Sequence, residues 1–299
     1  MSSPREFQVD VLGAPTHAWE YGDSGGEPLI LVHGFRGDHH GLEGIAERVQ
    51  GARVIVPDLP GFGRSPALPG REHTIETYAE WLRAFSLAVA PEGSSVLGHS
   101  FGSLVVSAAV ASGLAPRRLI LINPISTPAL EGPRRILTQG AIAYYRLGDA
   151  LPERAGHALL ANRLMVRVMS ETMAKTRNPE LRSWIHDQHD QYFSDFSDKR
   201  TLLEAFRASV SHTVGEFSDA FTMPTLLITG DRDDLTPLRA QLELQRRVPG
   251  AELKITPGVG HLVHYEAADD AAEWVTEFVG RADPAEPGTA GETQHKATA

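Results

Sequence analysis

Gly98-His99-Ser100-Phe101-Gly102 separates a short apolar run, Ser95-Val96-Leu97, from a longer one, Leu104-Val105-Val106-Ser107-Ala108-Ala109. A serine with a glycine two residues to either side, at a strand-to-helix turn, is the pattern of a nucleophile elbow. So tight a turn strains the serine backbone, at a cost on the order of 1–3 kcal/mol. Side chains at the glycine positions would collide with the packing of strand and helix. The turn holds a hydroxyl in the open beside a helix N-terminus. As a bare string it arises by chance roughly one time in ten in a chain this long. Its surroundings therefore decide the reading.

On either side of this turn, short apolar strand candidates recur: Phe7–Leu12, His17–Tyr21, Leu29–Val32, Arg53–Val56, Ser95–Leu97, Leu119–Ile122, Thr225–Thr229 and Glu252–Ile255. From Leu29 onward they are rich in Val, Ile and Leu without alternation, as strands covered on both faces are. Helical segments fall between them at Leu42–Val49, Ile75–Val89, Leu104–Ser112, Leu238–Arg247 and Ala267–Val279. The alternation predicts an α/β fold, a mostly parallel twisted sheet of about eight strands with helices on both faces. The first two strands follow each other without a helix and should form an antiparallel edge.

Between Pro124 and Met223 the alternation stops, and the pattern reads as helices only: Arg134–Tyr145, Ala158–Lys175, Pro179–Gln191 and Lys199–His212. The expected organisation is a core from 1–124 and 223–280, an inserted all-helical cap over 125–222, and a disordered tail over 281–299. The tail is rich in Pro, Gly, Ala, Thr and Glu and nearly devoid of large apolar residues.

Apolar residues make up 41% of the 299 and charged residues 22%, enough for a sizeable core. The formal net charge of −10 argues against nucleic acid as a partner, because neutralising phosphates needs an excess of Lys and Arg. With no cysteine, disulfides, thiolate chemistry and sulfur-held zinc are excluded. Met1 to Asp10 carries charges and no apolar signal-peptide core. Gly93 to Pro116 has no Asp, Glu, Lys or Arg, but its apolar runs are far shorter than the ~20 residues of a membrane span. A buried strand-turn-helix accounts for it. The expectation is a cytoplasmic protein without a membrane span, and oligomeric state has no signature.

A serine hydroxyl is a poor nucleophile; it needs a base, and the base needs an orienting acid. Carboxylates cluster in Gly230-Asp231-Arg232-Asp233-Asp234-Leu235-Thr236-Pro237, directly after one strand candidate. Histidines follow the last strand in Gly258-Val259-Gly260-His261-Leu262-Val263-His264. Asp231, Asp233 and Asp234 compete for the acid, and His261 and His264 for the base.

Five blocks in order then carry a resemblance: His33-Gly34-Phe35, Asp58-Leu59-Pro60-Gly61-Phe62-Gly63-Arg64-Ser65, the Ser100 elbow, Gly230-Asp231-Arg232-Asp233 and Gly260-His261. From Leu29 to Val279 the chain resembles the α/β-hydrolase superfamily, in its serine-nucleophile form with a helical cap. The resemblance implies Ser100 as nucleophile, Asp233, third after the glycine, as acid, and His261, at the glycine–histidine junction, as base. Some relatives carry the acid after the sixth strand, but Ile122-Asn123-Pro124 offers no carboxylate. The implied oxyanion donors are the backbone N–H groups of Phe35 and Phe101; losing one such donor costs ~2.7–4 kcal/mol of transition-state stabilisation.

What the resemblance implies is hydrolysis of a carboxylic ester or similar acyl compound through an acyl-enzyme, with no cofactor and no metal. Hydrolysis of carbon–carbon bonds in ring-cleavage products uses the same triad, although a tryptophan commonly follows the histidine there and Leu262 stands here. Lactonase, thioesterase and perhydrolase chemistry remain open, as does a hydrolase-like receptor for a small molecule.

Other residues invite sharper and blander readings. His33, His39 and His40 suggest a metal, yet no further ligand motif accompanies them; His33 reads as a brace for the oxyanion loop and His99 as an elbow residue that fixes backbone. Arg36-Gly37-Asp38 spells a cell-adhesion tripeptide and is read as coincidence. Met165, Met169 and Met173 recur every four residues beside Leu164 and Val168, predicting one apolar face on a cap helix. Helix packing is the plainer reading of that stripe. Substrate-pocket candidates are His33, His99, Tyr144, Met165, Met169 and Trp184, with Tyr145, Tyr192, Phe193 and Phe196 nearby. Such a lid suits an apolar, ester-like small molecule.

Overall fold

The computed structural model describes residues 3–128 and 135–282. The helix start expected at Arg134 and the tail over 283–299 lie outside them. The chain runs β1 (Arg5–Val11), β2 (Ala14–Gly22), β3 (Glu27–Val32), α1 (His40–Ala46), β4 (Ala52–Pro57), α2 (Ile75–Val89), β5 (Ser95–His99), α3 (Phe101–Ala111) and β6 (Leu119–Ile122). After a helical block come β7 (Thr225–Gly230), α9 (Leu238–Arg247), β8 (Glu252–Thr256), α10 (Val263–Glu266) and α11 (Ala268–Val279). The strands form one eight-stranded sheet in the order β1-β2-β4-β3-β5-β6-β7-β8. β1 with β2 and β2 with β4 are antiparallel; every other pairing is parallel.

Burial follows from position in the sheet. β5, β6 and β7 are buried at every residue, because helices cover both faces. The outermost strand, β1, has one solvated face and alternates accordingly. Alternate residues of the inner strands feed two separate cores. Ile30, Val32, Val96 and Leu121 meet α2 and α3, whereas Leu29, Leu31, Leu97 and Ile120 meet α1 and α11. Among the described residues, no helix is long and apolar enough to cross a membrane.

Between β6 and β7 lie α4 (Arg135–Ala150), α5 (Glu153–Leu160), α6 (Arg163–Met173), α7 (Pro179–Tyr192) and α8 (Lys199–Ser211). The single helix expected over Ala158–Lys175 is two. Asn162 breaks it: its side chain accepts from the N–H groups of Leu164 and Met165 and starts α6 afresh. The predicted methionine face is also rotated. Leu164 is 71% exposed and Val168 49%, Met165 and Met169 are half-buried, and the buried residues of α6 are Val166 and Ser170. A polar contact chooses that face: the Ser170 hydroxyl lies 2.5 Å from His186 Nδ1 and 2.7 Å from His189 Nδ1, both on α7. The short α10, directly after the histidine turn, was not anticipated.

Candidate active site

The β5–α3 turn places Ser100 at φ 53°, ψ −116°, in the left-handed region that non-glycine residues avoid. Two close approaches hold it there. A Cβ on Gly98 would lie 2.4 Å from the Gly102 carbonyl oxygen, and one on Gly102 would lie 2.1 Å from that of Val32. Strand and helix therefore cross with no room for a methyl group, and the strain is locked in by packing.

Two turns at the same end of the sheet converge on this hydroxyl. The β8–α10 turn carries His261, whose Nε2 lies 2.7 Å from Ser100 Oγ. The β7–α9 turn carries Asp233, whose Oδ2 lies 2.8 Å from His261 Nδ1. An ionised carboxylate only accepts, so Nδ1–H donates to Asp233, and Nε2 is left to accept the serine proton. Both partners of Ser100 are buried, His261 at 7% exposure and Asp233 at 4%.

Asp233 is held from all sides. Its Oδ1 accepts from the N–H groups of Leu235 and Thr236 at 2.8 and 3.0 Å. Its Oδ2 accepts from the Thr236 hydroxyl at 2.5 Å and from Asn123 Nδ2 at 2.9 Å, besides His261. Burial pushes the carboxyl up, but the His261 charge and the hydrogen bonds from His261 and Thr236 outweigh it and hold its pKa at about 2. Asp231 instead accepts from Gly258 N–H, tying the acid turn to the base turn, and Asp234 pairs with Lys175 Nζ at 2.6 Å. Asn123 and Thr236 escaped the sequence reading. Asn123, at φ 45° and fully buried, also donates to the Gly260 carbonyl, so it braces acid and base turns together. The signal was there: an amide just after β6, where some relatives carry their acid.

The loop after β3 closes the site. His33 Nε2 accepts from Leu59 N–H at 2.9 Å, which leaves Nδ1–H to donate to the Gly34 carbonyl. His33, read both as a brace and as a pocket candidate, ties the β3 loop to the backbone of Leu59. Asp58, fully buried, accepts from the N–H groups of His39 and Arg64 and from His39 Nδ1, and so buckles the β3 and β4 loops together. Gly34 packs against the elbow: a Cβ there would lie 3.3 Å from that of Ser100. Among the described residues, the backbone N–H groups of Phe35 and Phe101 have no hydrogen-bond partner. Two free amides next to the Ser100 turn are the kind of donors that an oxyanion formed at that hydroxyl would require.

Residues 27–268 match the sequence model of the alpha/beta hydrolase fold. The chain belongs to the α/β-hydrolase family. It is 30% identical over 92% of its length to 70% of the dihydrolipoyllysine-residue acetyltransferase component of the acetoin cleaving system of Pseudomonas putida. To the 2-hydroxymuconate semialdehyde hydrolase of the same species it is 25% identical, covering 95% of this chain and 99% of that one. A solved esterase from Thermogutta terrifontis shares the fold, with a TM-score of 0.69 at 22% identity, over 92% of this chain and 98% of that one.

The remaining candidates of this α/β-hydrolase chain scatter. His99 is buried; its Nε2–H donates to the His261 carbonyl at 3.2 Å, and burial together with the nearby His261 lowers its pKa to about 3. It is thus a neutral brace on the base turn. The ring of His264, the rival base, lies tilted against that of His99 with centroids 3.9 Å apart, and its Nδ1 has no partner among the described residues. Tyr144 donates to the Leu159 carbonyl within the helical block. Trp184, 44% exposed, meets the edge of Tyr265 rather than any triad residue. Met165 and Met169 stay on α6. None of these four touches the Ser100–His261–Asp233 chain in a hydrogen bond or ring contact among the described residues. Asp38, His39 and His40 bring ligand atoms within 4.8 Å of one another, but His39 Nδ1 is 2.9 Å from Asp58 and His40 Nδ1 3.0 Å from Asp38. His39 also stacks on Trp19 and His40 on Tyr192, so packing accounts for both rings.

Proposed function

We propose that this protein is a serine hydrolase that cleaves a carboxylic ester or similar acyl compound through an acyl-enzyme. The observation that carries the proposal is the continuous hydrogen-bond chain Ser100 Oγ–His261–Asp233 at 2.7 and 2.8 Å. His261 takes the Ser100 proton as Oγ attacks the carbonyl carbon, and Asp233 holds the imidazole in the receptive tautomer and stabilises its cation. The amides of Phe35 and Phe101 stabilise the oxyanion. His261 then gives its proton to the leaving group, and water deprotonated by the same ring releases the acid. No cofactor or metal enters this scheme.

The helical block over 125–222 serves as a cap on a core of 1–124 and 223–280. Support for an apolar acyl or alcohol part comes from the ring of Phe35, edge-on to Phe62 and Phe101 in the core and 5.9 Å from both Tyr145 and Phe206 in the cap. The relative acting on 2-hydroxymuconate semialdehyde supports carbon–carbon bond hydrolysis as a second reading. Against it, Leu262 is buried against Ala174, Ile185 and Tyr265 where such enzymes commonly carry tryptophan.

Burst kinetics with p-nitrophenyl acetate and longer esters, a lactone and a vinylogous diketone separate these readings. Ser100→Ala should lower kcat about a million-fold. Tight ligand binding with neither burst nor turnover in the parent protein would establish a receptor instead.

A further inference from the structure

Arg36 follows the Phe35 amide directly, and its surroundings are unusual for an arginine. It is 2% exposed, and no carboxylate partners it among the described residues. Its backbone sits at φ 65°, a conformation that persists in a non-glycine residue only where the surroundings impose it. All three of its nitrogens reach into the helical block. Nε donates to the Phe193 carbonyl at 3.0 Å, Nη1 to the Tyr145 hydroxyl at 3.1 Å and Nη2 to the Leu160 carbonyl at 2.7 Å. The guanidinium also lies 5.6 Å from the centre of the Phe196 ring.

These acceptors explain how a cation is buried without an anion. Leu160 is the last residue of α5, and Phe193 is the C-terminal cap of α7. Helix C-termini expose unpaired carbonyls and the negative end of the helix dipole. Two such ends, a hydroxyl and an aromatic face stand in for the missing carboxylate. The tripeptide Arg36-Gly37-Asp38 is accordingly no exposed adhesion motif: Asp38 is as buried as Arg36, at 3% exposure.

We infer that Arg36 is a positioning residue that makes the aim of the Phe35 amide depend on the seating of the cap. The inference rests on the hydrolase reading above. Residues 35 and 36 are both fastened to the cap, one by its ring against Tyr145 and Phe206, the other by its guanidinium on α4, α5 and α7. With the cap displaced, Arg36 loses all three side-chain acceptors, only the Gly34–Gly37 turn hydrogen bond still holds its positive φ, and the adjoining peptide is freed to turn its amide from the oxyanion. An acyl compound would then be attacked productively only beneath a seated cap.

The test compares Arg36→Met, Arg36→Lys and Tyr145→Phe with the parent in p-nitrophenyl ester turnover and in inhibition by benzeneboronic acid, a mimic of the tetrahedral adduct. Removing a whole oxyanion donor costs 10²–10³ in kcat, so a misaimed one in Arg36→Met should cost on the order of 10–10². KM should stay within about twofold, and affinity for the boronic acid should fall by the same factor as kcat. Arg36→Lys, which keeps the charge but not the three-way reach, should fall between. A residue that merely closed the cap would raise KM and leave kcat and boronic acid affinity unchanged; that outcome overturns the inference. If Arg36→Met does not fold, Arg36→Lys and Tyr145→Phe decide, with an expected loss of about 3–10-fold in kcat; no loss in either is equally fatal. Labelling of Ser100 by a fluorophosphonate in the parent separates this from failure of the hydrolase reading: an unlabelled parent sinks that reading itself.

Discussion

The loops at the end of the sheet and the helical block above them are built to different tolerances. In the loops placement is tight: Asp233 accepts from five donors, and a methyl group on Gly98 or Gly102 has nowhere to go. In the block, Leu147, Leu164, Val168 and Trp184 stand at 54%, 71%, 49% and 44% exposure, and α6 and α7 meet through a serine and two histidines. Chemistry that needs sub-ångström placement sits on the rigid side. The looser side, whose shape an incoming molecule has to fit, is where variation costs least.

Five substitutions and a pH series probe that contrast. The largest expected effect is on the acid. Asp233→Asn keeps the geometry but reverses the preferred tautomer of His261, so kcat should fall about 10⁴-fold. Asp231→Asn should change it little, because Asp231 only ties one turn to the other. Turnover of the two variants on one ester checks this; activity surviving Asp233→Asn and vanishing with Asp231→Asn would reassign the acid.

Acid should weaken both regions, since burial also lowers the pKa of His189 on α7 to about 3, and the loop side can be followed through its own histidines. Burial lowers the pKa of His99 to about 3 and that of His264 well below 6.5, so both are neutral when folded, while in the unfolded chain they protonate near 6.5. The unfolded state thus binds more protons between these values. Stability is fully present above pH ~6.5 and drains as pH falls, by about 1.4 kcal/mol per unit for each histidine. Asp233, at about 2 against an ordinary 3.8, adds a further loss of the same sign below pH ~4. Urea melts from pH 7 to 4 measure this, and His264→Gln should flatten the slope.

Gly102→Ala should cost about 3 kcal/mol or more, since its Cβ would overlap a backbone oxygen that cannot move without shifting β3. At the small end, Leu164→Glu on the cap surface should stay within about 0.5 kcal/mol. Thermal or urea midpoints of the pair give the ratio of tolerances directly. A cost above 2 kcal/mol at Leu164 would erase the contrast.

The same contrast governed what could be read from the residues. All eight strands lie close to where the sequence puts them, β3 to β7 through runs of Val, Ile and Leu, because strands buried on both faces leave a signature in composition alone, and α2 and α9 match to the residue. Ser100, Asp233 and His261 meet as the motif order implied. What stayed hidden depends on partners distant in sequence. Asn123 serves Asp233 across 110 residues, and the buried face of α6 is set by histidines on α7, not by its own methionines. Asn162 lies inside the stretch Ala158–Lys175 that reads as one helix, yet its side chain caps the start of a second one just after α5 ends. Arg36 was the least legible, since a lone arginine after a glycine-rich turn gives no hint of three acceptors over a hundred residues away.

The ring of His99 has one more consequence. It is attached to the residue immediately before the reactive hydroxyl, and it grips the main chain of the residue that carries the base. Ser100 and His261, the proposed nucleophile and base, therefore hang from a common peg, and thermal jostling should displace them in concert. On warming, the spacing between them should hold until the sheet itself comes apart, so the catalyst should be lost in a single cooperative step rather than fade by gradual detuning.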